Sequence, residues 1–215
     1  MSRQEPTGDS RISKNRVEAL VDSIFAFAMT LLVVGLSAPI LTKDQAATML
    51  PATVITMYAE FVMFFIAFFI LASFWLLHHR QFHFVRTVDP MLIRINLLIL
   101  AFIVFMPFTT NLSGDYSDVR VAVDLFHANM FIIGMLFLCQ WYYLVHNPGI
   151  TSGEISTIVA ENGIHRGLIL PLVTLLAIGV SFFSPSHSMI CYLLIPLVFV
   201  AIRMKGHTGT LSTKK

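Results

Sequence analysis

The residues best suited to chemistry stand at the mouths of apolar runs. Arg16 and Asp22 open the stretch RVEALVDSIFAFAMTLLVVGL, which carries no charge from Ser23 to Leu36. Six residues apart on a helix, they are separated by ~9 Å along the axis and about a third of a turn around it, so they do not pair on one face. A charge inside a membrane-length helix is unfavourable by roughly 2.5 kcal/mol or more unless it meets a partner or water. Arginine can extend its stem to the headgroups, whereas aspartate is too short to do so. Asp22 therefore calls for a polar partner on another helix. The stretch SFWLLHHRQFHFV brings Trp75, His78, His79 and His83, and IRINLLIL brings Arg94 and Asn96. Together they could form a buried Asp–His–Asn–Arg network. The i, i+4 spacing of His79 and His83 could also place two imidazoles on one metal. No carboxylate-and-histidine set recurs on another segment, however, and His127, His146, His165 and His187 stand singly. No metal and no cofactor are expected. No serine sits in a glycine-flanked elbow, and Cys139 and Cys191 lie inside apolar runs as expected packing residues. No catalytic residue is assigned, and an enzyme is not expected.

The elements that must position these side chains are membrane spans. Of 215 residues, 56% are apolar and only 12% charged, too few to coat a soluble domain of this size. A hydrocarbon core of about 30 Å needs ~20 apolar residues as a helix. Six segments qualify, at 18–37, 53–77, 90–111, 121–145, 166–184 and 187–203. FFSPSH between the last two predicts a hairpin, and Pro107 with Thr109 and Thr110 predicts the end of the third. With the N-terminus in the cytoplasm, twelve of the fourteen Lys and Arg residues fall inside and only Lys43 and Arg120 outside. That excess predicts both termini in the cytoplasm. Trp141, Tyr142 and Tyr143 then fit an interfacial aromatic belt. The expected organisation is an N-terminal tail over 1–15, a transmembrane domain over 16–204 and a C-terminal tail over 205–215. A net charge of +2 is accounted for by topology and implies no nucleic-acid partner.

Along the first span, Ser23, Phe27, Thr30, Leu31, Val34 and Ala38 follow the 3.6-residue period and share one broad face. Two readings fit. One is a packing face whose hydroxyls bond to carbonyls one turn earlier. The other is a pore lining in which apolar rings form a constriction and hydroxyls help ions past it. Spacing does not separate them.

R-x-x-x-L-V-D followed by SIFAFAMTLLVV resembles the R-x-x-x-F-S-D signature of the lysosomal potassium channel family (transmembrane protein 175) and its prokaryotic homologues. SFWLLHHRQF, VDPMLIRINLLIL and MPFTTNLSGDY extend the resemblance over about residues 14 to 116. It implies an all-α integral membrane fold with six transmembrane helices per subunit and no TVGYG filter. With one repeat per chain, it implies a homotetramer around a central pore lined by helix one. Arg16 and Asp22 match the signature's charged residues, while Leu20 and Val21 replace its phenylalanine and serine. Phe27 stands where the family has a constricting isoleucine, Leu31 and Val34 on the next apolar rings, Thr30 on a family threonine, and Gly35 on a frequent glutamate. The expected function is a potassium-permeable cation channel of the plasma membrane, passing potassium and other monovalent cations. Its constriction is Phe27, Leu31 and Val34, its polar lining Ser23 and Thr30, and its structural network Arg16, Asp22, His78, His79 and Asn96. The alternative is a proton-coupled transporter using Asp22 and the histidine cluster.

Overall fold

The computed structural model describes residues 12–195. Among them the chain is all-helical, in seven α-helices: α1 Lys14–Val34, α2 Lys43–Thr56, α3 Tyr58–Phe82, α4 Pro90–Asp115, α5 Arg120–His146, α6 Thr157–Ser181 and α7 Pro185–Ser188. Short 3-10 turns follow at Pro148–Ile150 and Met189–Leu193. Five of the helices, α1, α3, α4, α5 and α6, are long and apolar enough to cross a membrane. Their 21 to 27 residues rise ~32–40 Å, somewhat more than a hydrocarbon core of ~30 Å. The sixth predicted segment, 187–203, is described only to Ile195, and the remainder lies outside the described residues.

Buried residues recur at steps of three and four along each span, so every helix turns one stripe inward. On α1 the stripe is Val17, Val21, Phe25, Ala28 and Leu32, packed against α3 and α4. On α3 it is Met63, Ala67, Leu71, Phe74, His78 and Gln81. Helices α4 and α5 bury the most and form the centre, with α1 and α3 on one side and α6 on the other. Phe74 stacks on Phe137 across α3 and α5, with ring centroids 5.3 Å apart. Trp141 donates its indole N–H to the Ala160 carbonyl at 3.0 Å, which locks α5 to α6. Gly163 makes that contact possible: a Cβ there would lie 2.1 Å from the indole nitrogen.

The loops at one end are clasped together. Val85 and Thr151 form an antiparallel bridge, the Arg86 N–H donates to the Ile150 carbonyl at 2.8 Å, and Lys14 Nζ donates to the Val85 carbonyl at 2.9 Å. The start of α1 is thereby tied to the loops that follow α3 and α5.

Several expectations are corrected. The first span ends at Val34 with Gly35 as its cap, so Ala38 leaves the helical face. Residues 43–56 form a separate helix, started by a capping box in which Thr42 and Gln45 satisfy each other's backbone N–H groups. The second span therefore begins at Tyr58 and continues through the histidines to Phe82. Pro107 does not end the third span. It lies buried inside α4, and Thr109 and Thr110 both donate to the Met106 carbonyl. Trp141 is buried rather than interfacial, and Cys139 is exposed on the outer face of α5 rather than packed.

Candidate functional site

Helix α1 has two faces of similar composition and opposite fate. Phe25 is 1% exposed and Phe27, two residues on, is 57% exposed. Val34 is 72% exposed, Ser23 and Thr30 are exposed, and Leu31 is half-buried. Within one subunit, Ser23, Phe27, Thr30 and Val34 thus form a stripe that no other described helix covers. The hydroxyls on it are bonded within the helix: Ser23 Oγ donates to the Ala19 carbonyl at 2.7 Å, and Thr30 Oγ1 to the Phe27 carbonyl at 2.8 Å. A hydroxyl that donates can still accept, so these exposed oxygens offer the stripe acceptors between apolar rings.

At the lower end of that stripe sits Asp22. Its Oδ1 accepts the Trp75 indole N–H at 2.8 Å, joining α1 to α3. His79 stacks on Trp75, with centroids 6.3 Å apart and planes 27° from parallel, and its side chain makes no hydrogen bond among the described residues. A second pair lies deeper. Asn96 donates through Nδ2 to the Leu92 carbonyl at 2.9 Å, which leaves Oδ1 to accept from His78 Nε2–H at 2.7 Å. His78 and Asn96 are both buried, and the imidazole stacks on Phe82 at 4.1 Å. The expected single network is therefore two separate pairs, Asp22–Trp75 and His78–Asn96. Arg16 is exposed and forms no ion pair with Asp22, as their spacing required.

Further polar ties escaped sequence reasoning. Gln140 Nε2 donates to Gln81 Oε1 at 2.8 Å, and Gln81 Nε2 to the Phe137 carbonyl at 3.1 Å, all inside the bundle. Asp89 caps α4 by accepting the Leu92 N–H at 2.8 Å, and its other oxygen accepts the Tyr143 hydroxyl. His127, which stands alone in the sequence, is fully buried with both nitrogens engaged. Ser188 donates its hydroxyl to the Pro185 carbonyl, so His127 Nε2–H donates to Ser188 Oγ at 2.8 Å, and Tyr192 donates to Nδ1 at 2.9 Å. Asp-Pro before a helix was a legible capping signal. The glutamines and His127 offered none, because their partners are 56 to 65 residues away in sequence. Among the described residues no three His, Cys, Asp or Glu side chains come together as a metal would require.

The arrangement can hold α1 firmly from behind while leaving its front bare. The pattern of the family described as endosomal/lysosomal potassium channel TMEM175 matches residues 16–107, the part that holds Asp22, Trp75, His78 and Asn96. A Streptomyces collinus protein named as a potassium channel is 24% identical over 188 residues, which cover 86% of this chain and 90% of that protein. The human endosomal/lysosomal proton channel TMEM175 is 25% identical over 214 residues, 96% of this chain but 41% of that longer protein. The crystal structure of a lysosomal potassium-selective channel TMEM175 homologue from Chamaesiphon minutus superposes with a TM-score of 0.75 at 25% identity, covering 88% of this chain and 97% of that one.

Proposed function

We propose, from the match of residues 16–107 to the pattern of the TMEM175 potassium channels, that this chain is a potassium-permeable cation channel whose pore is lined by α1 of four identical subunits. The relatives are ion channels, not enzymes, and the chain is a multi-pass membrane protein of helices. The carrying observation is the uncovered stripe on α1. An apolar residue that faces lipid needs no hydroxyl beside it, whereas a narrow water path benefits from one. Phe27, Leu31 and Val34 form the dewetted constriction, and Ser23 and Thr30 offer oxygens to partly dehydrated ions between those rings. Four copies around an axis turn this stripe inward, and cyclic symmetry gives each ring four equal side chains. Asp22–Trp75 ties α1 to α3, and His78–Asn96 ties α3 to α4, so the two helices that back α1 are held together and set which of its residues face the axis. Arg16, exposed at the start of α1, and His79, stacked on Trp75, belong to the groups that hold α1 in register. Both termini lie in the cytoplasm, which the distribution of Lys and Arg supports, and the single repeat per chain favours the plasma membrane.

The test has two arms. Liposomes containing the protein are compared for flux of potassium, sodium, protons and a bulky organic cation. Cysteines placed singly at positions 23, 27, 30, 31 and 34 are then probed with aqueous thiol reagents. Large, reversible potassium currents and labelling that follows the stripe are expected. Cysteines along it that react only with lipid-soluble reagents would remove α1 from the pore.

A proton-coupled transporter is the second reading. It draws on Asp22 and the histidines, yet Asp22 is bonded to Trp75 and His78 to Asn96, so no hydrogen bond joins carboxylate to imidazole. Saturable flux that requires a proton gradient would favour it over a channel.

A further inference from the structure

We infer that the cleft between α3 and α6 is a binding site for one anionic phospholipid. The cleft holds about 720 Å³ and has α5 as its floor, with Phe137 and Trp141 beneath and Ile70, Ser73 and Leu170 among its walls. Its lining is mostly apolar, and its charged residues lie at one end. There Arg80 comes from α3, and Arg166 and Asn162 from α6. Both arginines are exposed, and neither makes an ion pair among the described residues.

Depth matches a lipid. Arg80 lies two residues before the end of α3, and Arg166 stands where the apolar part of α6 begins. Both are thus at the level of the headgroups. From Arg80 back to Ile70 the helix descends ~15 Å, about the thickness of one hydrocarbon leaflet. An acyl chain entering from the bilayer would lie along the slot with its phosphate between two guanidiniums, which bind phosphate oxygens in pairs. Basic pockets between spanning helices are a recurrent way of holding acidic headgroups. Asn162 adds a neutral amide donor beside them. Because both arginines line the slot, a zwitterionic headgroup would bring its own cation into a field that is already positive. The charge pattern therefore selects an anionic lipid over phosphatidylcholine. The site is independent of the ion path, since neither α3's cleft face nor α6 belongs to the α1 stripe.

Native mass spectrometry of the full-length protein in detergent tests it, with phosphatidylglycerol and phosphatidylcholine titrated side by side. Phosphatidylglycerol should be retained about tenfold more tightly, and Arg80→Gln with Arg166→Gln should reduce it to the phosphatidylcholine level. Ser73→Phe, at an exposed position on the wall, should weaken both lipids by filling the slot. Arg94→Gln, a cation at the same end of the bundle but outside the cleft, should change nothing. Equal retention of the two lipids, undiminished phosphatidylglycerol in the double variant, or an effect of Arg94→Gln as large as that of the cleft arginines would overturn the site. No lipid retention, with no response to Ser73→Phe, would overturn it as well.

Discussion

The His78–Asn96 pair offers a quantitative test of how α1 is backed. The two side chains are 3% and 2% exposed and share one hydrogen bond of 2.7 Å. Asn96→Leu leaves the His78 N–H buried without an acceptor, and His78→Phe leaves the Asn96 oxygen without a donor. An orphaned buried group costs about 1–3 kcal/mol in soluble interiors, while coupled hydrogen bonds within membrane bundles average ~0.6 and reach ~1.7. Each single change should therefore destabilise by about 1–2 kcal/mol, roughly a 5- to 30-fold shift in the folding equilibrium. Phenylalanine at position 78 keeps the stacking on Phe82. In the double variant neither orphan remains, so about 1 kcal/mol of the summed cost should be recovered. The assay is reversible unfolding in mixed detergent and SDS micelles, followed by far-UV circular dichroism. If the two single costs add to within ~0.3 kcal/mol, the pair is not coupled and the reasoning fails. Potassium flux of the double variant completes the experiment. A variant with restored stability that conducts places His78 in the scaffold, whereas one that is stable and silent places it in the ion or proton path.

Three further outcomes are expected. Phe27→Ala should raise single-channel conductance severalfold and weaken preference for potassium over sodium, measured in planar bilayers; unchanged currents would remove Phe27 from the constriction. Asp22→Asn retains an oxygen for the Trp75 indole, so it should keep most assembly, whereas Asp22→Ala or Trp75→Phe should weaken the α1–α3 tie by about 1 kcal/mol, discounted for exposure, and lower the yield of the assembled oligomer on size-exclusion chromatography. Gly163→Ala should destabilise by about 1–3 kcal/mol, because its methyl group enters the space of the Trp141 indole; a lower melting temperature with red-shifted tryptophan emission is the readout.

What the order of residues determined by itself is the solvent. Long uncharged runs can satisfy their backbone only as helices in a bilayer, so the spanning helices followed from composition and length. Capping was legible at Asp89-Pro90 too, since a carboxylate and a ring with fixed φ act locally. Asp22's need for a partner on another helix was also readable, because desolvating a short charged side chain is costly wherever it lies. The identity of that partner was not. Trp75 and His78 stand within one turn of each other on α3, and only the packing of α3 against α1 and α4 turned the indole toward Asp22 and the imidazole toward Asn96. Likewise Phe25 and Phe27 are chemically identical and two residues apart, yet one is core and the other bare. Hydrophobicity depends on side-chain type alone, but burial depends on which neighbours arrive, and those neighbours come from segments dozens of residues away. For that reason the spans were written in the sequence, while the choice of which face of α1 stays uncovered belonged to the packing.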